Sequence, residues 1–356
     1  MASASNVATL PSRPARPTLE IDGERQSTLE SALLSMELND AVDTIARAEL
    51  SFGNWGGADS PGFQHFDRKV LEFGKALVVK IADEIAFEGR IGAIVADFPE
   101  TSPPTIGVLA EDRLQDLRMT RRSRSFADKS LGDIVRQIAG EHGLTADVSL
   151  SGPTTKLVAQ VNQSDLALLH DLARREDAQI WVEGKKLRAA ATRPTDKVEL
   201  RWPGALREFH VEADLAHQRT ALVAAGWDVA AKETASHRAA DSAISSEVGS
   251  LDAGAKILAG AFAARVDTVA HGVARDAQEA KAIAEAGFRQ LARRFVRGHG
   301  IAETRAGLRV GATLALSGLG KLFDGDYRMT AVTHLFDLTD GQRSEFACER
   351  PGLGQP

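Results

Sequence analysis

The C-terminal part of the chain, from Gly307 to Pro351, contains three segments in which apolar and polar residues alternate. Turns rich in Gly and Asp join them, as at Gly318 and at Asp324-Gly-Asp326. Strands this close in sequence usually pair antiparallel, in a meander or a small barrel. The pattern therefore predicts a β-domain at this end of the chain, and we find no catalytic motif in it.

A second series of alternating segments lies between residues 18 and 125 and predicts a first β-barrel domain. Its members are Leu33–Leu38, Arg47–Phe52, Ala76–Ile81 and Ile85–Val95. Short strands that recur without long helices between them are typical of a barrel or sandwich. Strand-like segments resume near Val198, so residues 192–229 and 298–356 are predicted to form a second, similar barrel.

Helical patterns mark two further regions. Residues 126–191 are predicted to form an inserted α+β module, in which Ser130 and Asp133 cap a helix that stops at Gly143 and a hairpin joins Gln179–Val182 to Lys186–Arg188. Residues 230–297 are predicted to form a helical insertion, whose longest helix starts at Asp276 and is ended by Gly298. The expected fold class is thus α+β and mainly β, with two similar β-barrel domains, an inserted module and a helical excursion. Residues 1–17, rich in Ala, Ser and Pro, are predicted to be a flexible arm.

Composition excludes several classes of protein. With 356 residues, of which 43% are hydrophobic and 26% charged, the chain is long enough for two to three globular domains. The net charge of −6 and scattered basic residues argue against nucleic-acid binding. No run approaches the ~18 apolar residues that a membrane span needs. The single cysteine, Cys348, excludes an internal disulfide framework.

The sequence predicts no catalytic, cofactor-binding or metal-binding residues. Gly318-Leu-Gly-Lys321 is similar to part of a phosphate-binding loop, but Leu322 follows where that loop needs a hydroxyl. The histidines are dispersed, and no spacing typical of a zinc site occurs. The residues we single out are therefore candidates for assembly or packing, and they are Trp202, Trp227, Asp228, Tyr327 and Phe336.

Five segments, in this order along the chain, resemble a known family. They are Ser125–Val135, Glu141–Leu144, Asn162–Ala173, Ala225–Asp228 and Gly325–His334. Together they resemble the phage late control D family, the baseplate hub proteins of contractile-tailed phages. That family is related to the N-terminal hub part of VgrG-type spike proteins.

The resemblance implies a homotrimer in which each chain contributes two similar barrels. Six barrels would then form a ring that joins the sixfold tail tube to the threefold spike. The implied partners are a separate spike protein, tail tube or tube-initiator proteins and baseplate wedge proteins. The implied role is structural and not enzymatic, without a cofactor, in a particle assembled after synthesis in the bacterial cytoplasm.

Two alternatives stay open. One is a peptidoglycan-binding module, since the two helices of residues 126–191 loosely resemble a lysin-motif arrangement. The other is a cell-wall hydrolase at the tail tip, which would need a pair of carboxylates in a cleft. Phage, phage-tail-like bacteriocin and extracellular injection system are equally open as the parent machine. Because the sequence ends at Pro356 without repeats, we expect the spike tip to be a separate polypeptide.

Overall fold

The computed structural model describes residues 16–57, 61–305 and 307–355. The arm predicted for residues 1–17 therefore lies almost wholly outside the described residues. Strands make up 48% of the structure and helices 20%, so the predicted mainly β class is confirmed. Among the described residues, no helix is long and apolar enough to cross a membrane.

The elements follow one another in three stretches of chain. The first stretch contains β1 (Thr18–Ile21), β2 (Glu24–Arg25), α1 (Ser27–Ala32), β3 (Leu33–Ala41), β4 (Arg47–Gly53), β5 (Trp55–Gly56), β6 (Gly62–Phe63), β7 (Ala76–Ile81), β8 (Glu84–Asp97), β9 (Thr105–Glu111) and α2 (Leu114–Arg118). The second contains β10 (Arg121–Lys129), α3 (Leu131–Glu141), β11 (Thr145–Ser149), β12 (Thr155–Ser164), α4 (Asp165–Arg175), β13 (Gln179–Glu183) and β14 (Lys186–Ala190).

The third stretch begins at Lys197. It contains β15 (Lys197–Arg201), β16 (Leu206–Ala213), β17 (Ala221–Asp228), β18 (Glu233–Ala239), a short 3-10 helix (Asp241–Ala243), α5 (Ser245–Val248), β19 (Asp252–Ala253), α6 (Gly254–Phe262), β20 (Val266–Ala274), α7 (Ala277–Arg293), β21 (Val296–Ala302), β22 (Thr313–Ser317), β23 (Gly325–Asp337), β24 (Gly341–Arg350) and β25 (Gly352–Leu353).

One 13-stranded sheet joins the two regions that were predicted to be separate barrels. Its strand order is β16-β21-β24-β23-β3-β4-β9-β8-β7-β1-β2, with β22 beside β23 and β15 beside β22. The prediction of two closed barrels is not confirmed, because barrel closure is not detected. The physical reason lies in β23, whose first residues pair with β22 while its last seven pair with β3.

The two halves of this sheet repeat the same strand order. We call β1, β3, β4, β7, β8 and β9 the first half, and β15, β16, β21, β22, β23 and β24 the second half. Listed across the sheet, the first half runs β3-β4-β9-β8-β7-β1 and the second half runs β16-β21-β24-β23-β22-β15. If the six strands of each half are numbered in chain order, both halves have the same order across the sheet, namely second, third, sixth, fifth, fourth and first. Only the last pair differs, being antiparallel in the first half and parallel in the second.

The pairing register repeats as well. Arg90 in β8 lies opposite Glu111 in β9, and Arg328 in β23 lies opposite Glu349 in β24. A β-bulge follows the arginine in both hairpins, and another interrupts the start of both β3 and β16. Bulges bend strands and fix the register of their neighbours. The two halves therefore share one backbone plan in detail.

A glycine turn just before β7 and just before β22 is part of this plan. Gly74 donates its amide to the carbonyl of Ile91, and Gly311 donates to that of Met329, at 2.8 and 3.0 Å. Both glycines have a positive φ, 81° and 88°, which other residues adopt only with strain. The same turn thus starts the same hairpin in each half.

The elements β10 to β14, with α3 and α4, follow the first half along the chain. Ser130 accepts a hydrogen bond from the amide of Asp133 and caps α3, which Gly143 follows with a positive φ. β13 and β14 form the predicted hairpin. The apolar sides of α3 and α4 pack with Phe126 and Ile180 in a core that α2 joins through Leu114 and Leu117.

The region between β16 and β21 differs from the prediction in two respects. It is not mainly helical, because β17 pairs with β18 and β20 in a sheet of its own against which α7 packs. β17, which the sequence pattern placed in the second barrel, therefore belongs to this insertion. Its buried run of small residues, such as Ala221 and Ala224, suits a strand covered by a helix.

α7 also ends earlier than the sequence suggested, at Arg293 instead of residue 297. Its predicted N-cap is present, since Asp276 accepts a hydrogen bond from the amide of Glu279 at 2.8 Å. The expected stop signal, Gly298, lies inside β21, where a Cβ would come within 2.3 Å of the ring of Phe209. This glycine is required by strand packing and not by the end of a helix.

Candidate assembly interface

The pairing of β3 with β23 is the place where the two halves meet. The strands run antiparallel, with Ala331 opposite Ala41 at one end and Asp337 opposite Ser35 at the other. In the middle, the Thr333 hydroxyl lies 2.7 Å from Oδ1 of Asn39 and donates to it. We call this strand pair the junction.

Buried side chains line the inner face of the junction. Phe336, on a strand of the second half, is 1% exposed and packs in the core of the first half, opposite Met36. His334 is buried opposite Leu38, with its Nδ1 2.8 Å from the hydroxyl of Ser344. Burial lowers the pKa of His334 to about 4, so this imidazole is neutral at physiological pH. The junction thus combines a shared apolar core with buried hydrogen bonds.

A partly buried ion pair connects the junction to the segment that follows the module. Arg193, just after β14, donates from Nη1 to the carboxylate of Asp40 in β3, at 3.1 Å. The Arg193 guanidinium also lies 5.4 Å from the ring centre of Trp181 in the module. Burial raises the pKa of Asp40, while Arg193 acts in the opposite direction. One arginine therefore contacts the first half and the module together.

Asp112 is the other carboxylate of this region. Its Oδ2 accepts from the amide of Ala46 and its Oδ1 from the amide of Leu114, at 3.0 and 2.8 Å. Burial raises the pKa of Asp112 to about 7. A cavity of about 300 Å³ lies between Asp112, Asp40 and Arg193. These carboxylates hold backbone and an arginine in place, which is a structural use of buried charge.

Asp112→Asn is expected to change how the melting temperature depends on pH. Because the folded pKa of Asp112, about 7, exceeds the ordinary value, the folded chain binds this proton more tightly than the unfolded chain. The contribution of Asp112 to stability is full below its unfolded pKa and is lost as the pH rises through about 7. The melting temperature of the wild type relative to the variant should therefore fall between about pH 5 and about pH 8.

Thermal denaturation followed by circular dichroism measures this difference. Asp83→Asn, in the exposed turn between β7 and β8, is the matched control. The difference in melting temperature between the wild type and this control should not change with pH. A difference for Asp112→Asn that stays constant or grows with pH would contradict the role assigned to this carboxyl.

The structure separates the five residues selected from the sequence into two groups. Tyr327 and Phe336 are each 1% exposed and serve packing. The Tyr327 hydroxyl donates to the carbonyl of Phe323 at 2.9 Å. Trp202 and Trp227 are about half exposed, and the Asp228 carboxylate accepts from the amides that follow it. The structure does not bring the five together, and a role in assembly stays a prediction for the exposed ones.

Sequence reasoning missed the Asp40–Arg193 pair and the correspondence between the halves. A signal for the correspondence was present, because Arg90-Ile-Gly-Ala-Ile and Arg328-Met-Thr-Ala-Val are similar. The same offset separates Glu111 from Glu349. Within the described residues, no group of three or more His, Cys, Asp or Glu side chains is arranged to hold a metal ion.

Comparison with known proteins places this fold among tail proteins. The structure is similar to the 43 kDa tail protein of prophage MuSo2 from Shewanella oneidensis, with a TM-score of 0.70, 13% identity and coverage of 94% of this chain and 98% of that one. It is similar to the tail protein from Neisseria meningitidis MC58, with a TM-score of 0.65, 11% identity and coverage of 95% and 97%.

A third similar structure is the E. coli c3393 protein, a component of the type VI secretion system. Its TM-score is 0.56 at 13% identity, with coverage of 95% of this chain and 79% of that one. At such identities the likeness shows the fold, and the predicted likeness to phage tail proteins is confirmed at that level.

The chain belongs to the family described as the Alg8 N-terminal domain, whose model matches residues 13–337. That description names neither a phage tail nor a hub and leaves the resemblance to the late control D family untested. No curated protein matches the sequence.

Proposed function

We propose that this chain is the structural baseplate hub of a contractile tail or injection system. Three copies form a ring that joins the sixfold tail tube to the threefold spike. The observation that carries this proposal is the repeat of strand order, register and bulges between the two halves. A chain with two equivalent halves lets a threefold assembly present six equivalent positions.

The fold likeness to tail proteins supports the same role. The partners that follow are a separate spike protein, the tail tube or its initiator, and baseplate wedge proteins. Synthesis in the bacterial cytoplasm precedes incorporation into the particle. The chain contributes geometry and no bond chemistry, and the resemblance of five segments to the late control D family supports such a hub.

Mass photometry of the purified chain tests the proposal. We expect a dominant species of three times the 38.0 kDa monomer mass. A monomer at every concentration would contradict the hub assignment. A zymogram on cell walls and a pull-down of the full chain on purified peptidoglycan test the two alternatives, because clearing or capture there would favour a hydrolase or a wall-binding protein.

A further inference from the structure

Each half of the sheet contributes one edge to the junction, and the equivalent edge of the other half is free within the described residues. β3 of the first half pairs with the last part of β23 in the second half. The equivalent strand of the second half is β16, which among the described strands pairs with β21 alone. The equivalent of the last part of β23 is Ala93–Asp97 of β8, whose one partner in the described part of the chain is β9. Edge strands of this kind are ready to pair with another chain.

The correspondence between the halves predicts how these two free edges fit together. Arg90 is equivalent to Arg328 by register, so Val95 is equivalent to Thr333. Arg47 lies opposite Glu111, and Arg297 lies opposite the equivalent Glu349, so the two arginines are equivalent. Asn39 lies opposite Arg47 and Glu212 lies opposite Arg297. Glu212 is therefore equivalent to Asn39. Thr333 and Asn39 lie opposite each other in the junction and are hydrogen-bonded.

We propose that β16 of one copy pairs antiparallel with Ala93–Asp97 of a second copy, repeating the junction between chains. The inference rests on the proposed trimeric hub and adds to it the strands and the register of the contact. Val95 of one copy lies opposite Glu212 of the next. The neighbouring opposed pairs are Ile94 with Ala213, Ala96 with Val211 and Asp97 with His210.

Phe98 and Phe336 provide the strongest support. Phe98 follows Asp97, which pairs with Thr105, and Phe336 follows Leu335, which pairs with Arg343. These are equivalent pairs of the two hairpins, so the two phenylalanines occupy equivalent positions. Phe336 is 1% exposed because β3 covers it, whereas Phe98 is 65% exposed. By the same register Phe98 of one copy lies opposite Phe209 of the next, as Phe336 lies opposite Met36. A second copy therefore covers Phe98 as the junction covers Phe336.

The whole inward row of the proposed contact is apolar. It consists of Ile94, Ala96, Phe98, Phe209, Val211 and Ala213. None of these side chains is fully buried in the single chain. Phe98 also contacts Phe63 and Phe66, at ring-centre distances of 6.1 and 5.8 Å, and Phe63 is itself half exposed. An exposed aromatic patch beside a free strand edge is typical of a protein interface.

The outward row carries groups compatible with the pairing. Asp97 of one copy faces His210 of the next, which brings a carboxylate beside an imidazole. Val95 is 48% exposed and Glu212 is also exposed, so both positions accept substitution in the single chain. Cross-strand partners in an antiparallel pair lie close enough to interact, whereas diagonal neighbours are about 7–8 Å apart.

Disulfide cross-linking tests the register directly. The double variant Val95→Cys/Glu212→Cys is purified as the full chain, oxidised and run on a non-reducing gel. Since each chain contributes one cysteine to each of its two contacts, ring closure yields a covalent trimer. The native thiol does not interfere, because Cys348 is 2% exposed and burial raises its pKa to about 12.

The matched control is Val95→Cys/His210→Cys, which places the second thiol two residues out of register on the same face. We expect about tenfold more covalent trimer from the in-register pair than from this control, because a disulfide requires closely opposed backbones. A trimer by mass photometry without this difference would overturn the proposed contact and leave the hub assignment standing. A chain that stays monomeric would overturn both.

Discussion

Phe336→Ala is expected to lower the free energy of unfolding by about 3–5 kcal/mol, the usual cost of removing a buried aromatic side chain. The residue is 1% exposed and, although its strand belongs to the second half, it packs in the core of the first half. Its loss therefore opens a cavity at the contact that joins the halves. Urea denaturation, at a protein concentration low enough for monomers, measures the effect.

Phe98→Ala is the matched control, because it removes the same side chain from the equivalent position of the other half. Phe98 is 65% exposed in the single chain, so its truncation should cost about 1 kcal/mol or less in the monomer. Equal losses for the two variants would contradict the view that the β3–β23 junction stabilises the monomer while the equivalent edge is free.

Arg293→Ala is expected to lower the free energy of unfolding by about 2–3 kcal/mol, because it removes a buried guanidinium that bonds to Asp177 and Glu247, while Arg289 still donates to Asp177. Arg293 in α7 donates to both oxygens of Asp177, at 2.6 and 2.8 Å, and to Glu247 at 2.7 Å. Burial opposes the charge of Arg293, but its hydrogen bonds with Glu247 and Asp177 raise its pKa. The side chain thus connects the insertion to the turn that ends α4 in the module.

The control for this variant is Arg297→Ala, in the strand β21 that follows α7. Arg297 pairs with Glu212 at 2.6 Å, but both side chains are about half exposed. Such surface pairs contribute about 1 kcal/mol or less. Urea denaturation followed by circular dichroism compares the two variants, and a near-neutral Arg293→Ala would show that the ion pair does not hold the module against α7.

Local features of this fold were predictable from the sequence. The cap at Ser130, the cap at Asp276 and the hairpin between β13 and β14 each depend on residues a few positions apart. Side-chain oxygens that accept from the first free amides determine where those helices begin. The alternating segments likewise identified most of the long strands.

Long-range features were not predictable in the same way. Strand alternation does not reveal which strand is a neighbour, so the pairing of β3 with β23 and the single sheet escaped prediction. The ion pair between Asp40 and Arg193 joins residues 153 positions apart. The alternation in β17 predicts a strand, but it does not show that the strand pairs with β18 and β20 under α7.

The repeat within the chain explains why a threefold assembly would suit a position between sixfold and threefold parts. Each half contributes one free edge of complementary kind, and the junction shows within one chain how such edges pair. An unpaired edge with exposed aromatic residues would otherwise promote aggregation. Ring closure removes both edges together.

Class-averaged electron microscopy of the purified chain tests this claim most directly. The account predicts a closed particle with threefold symmetry, a central channel and six similar lobes around it, two from each chain. Averages that show a compact monomer, or a ring whose lobes do not number twice its subunits, would contradict it.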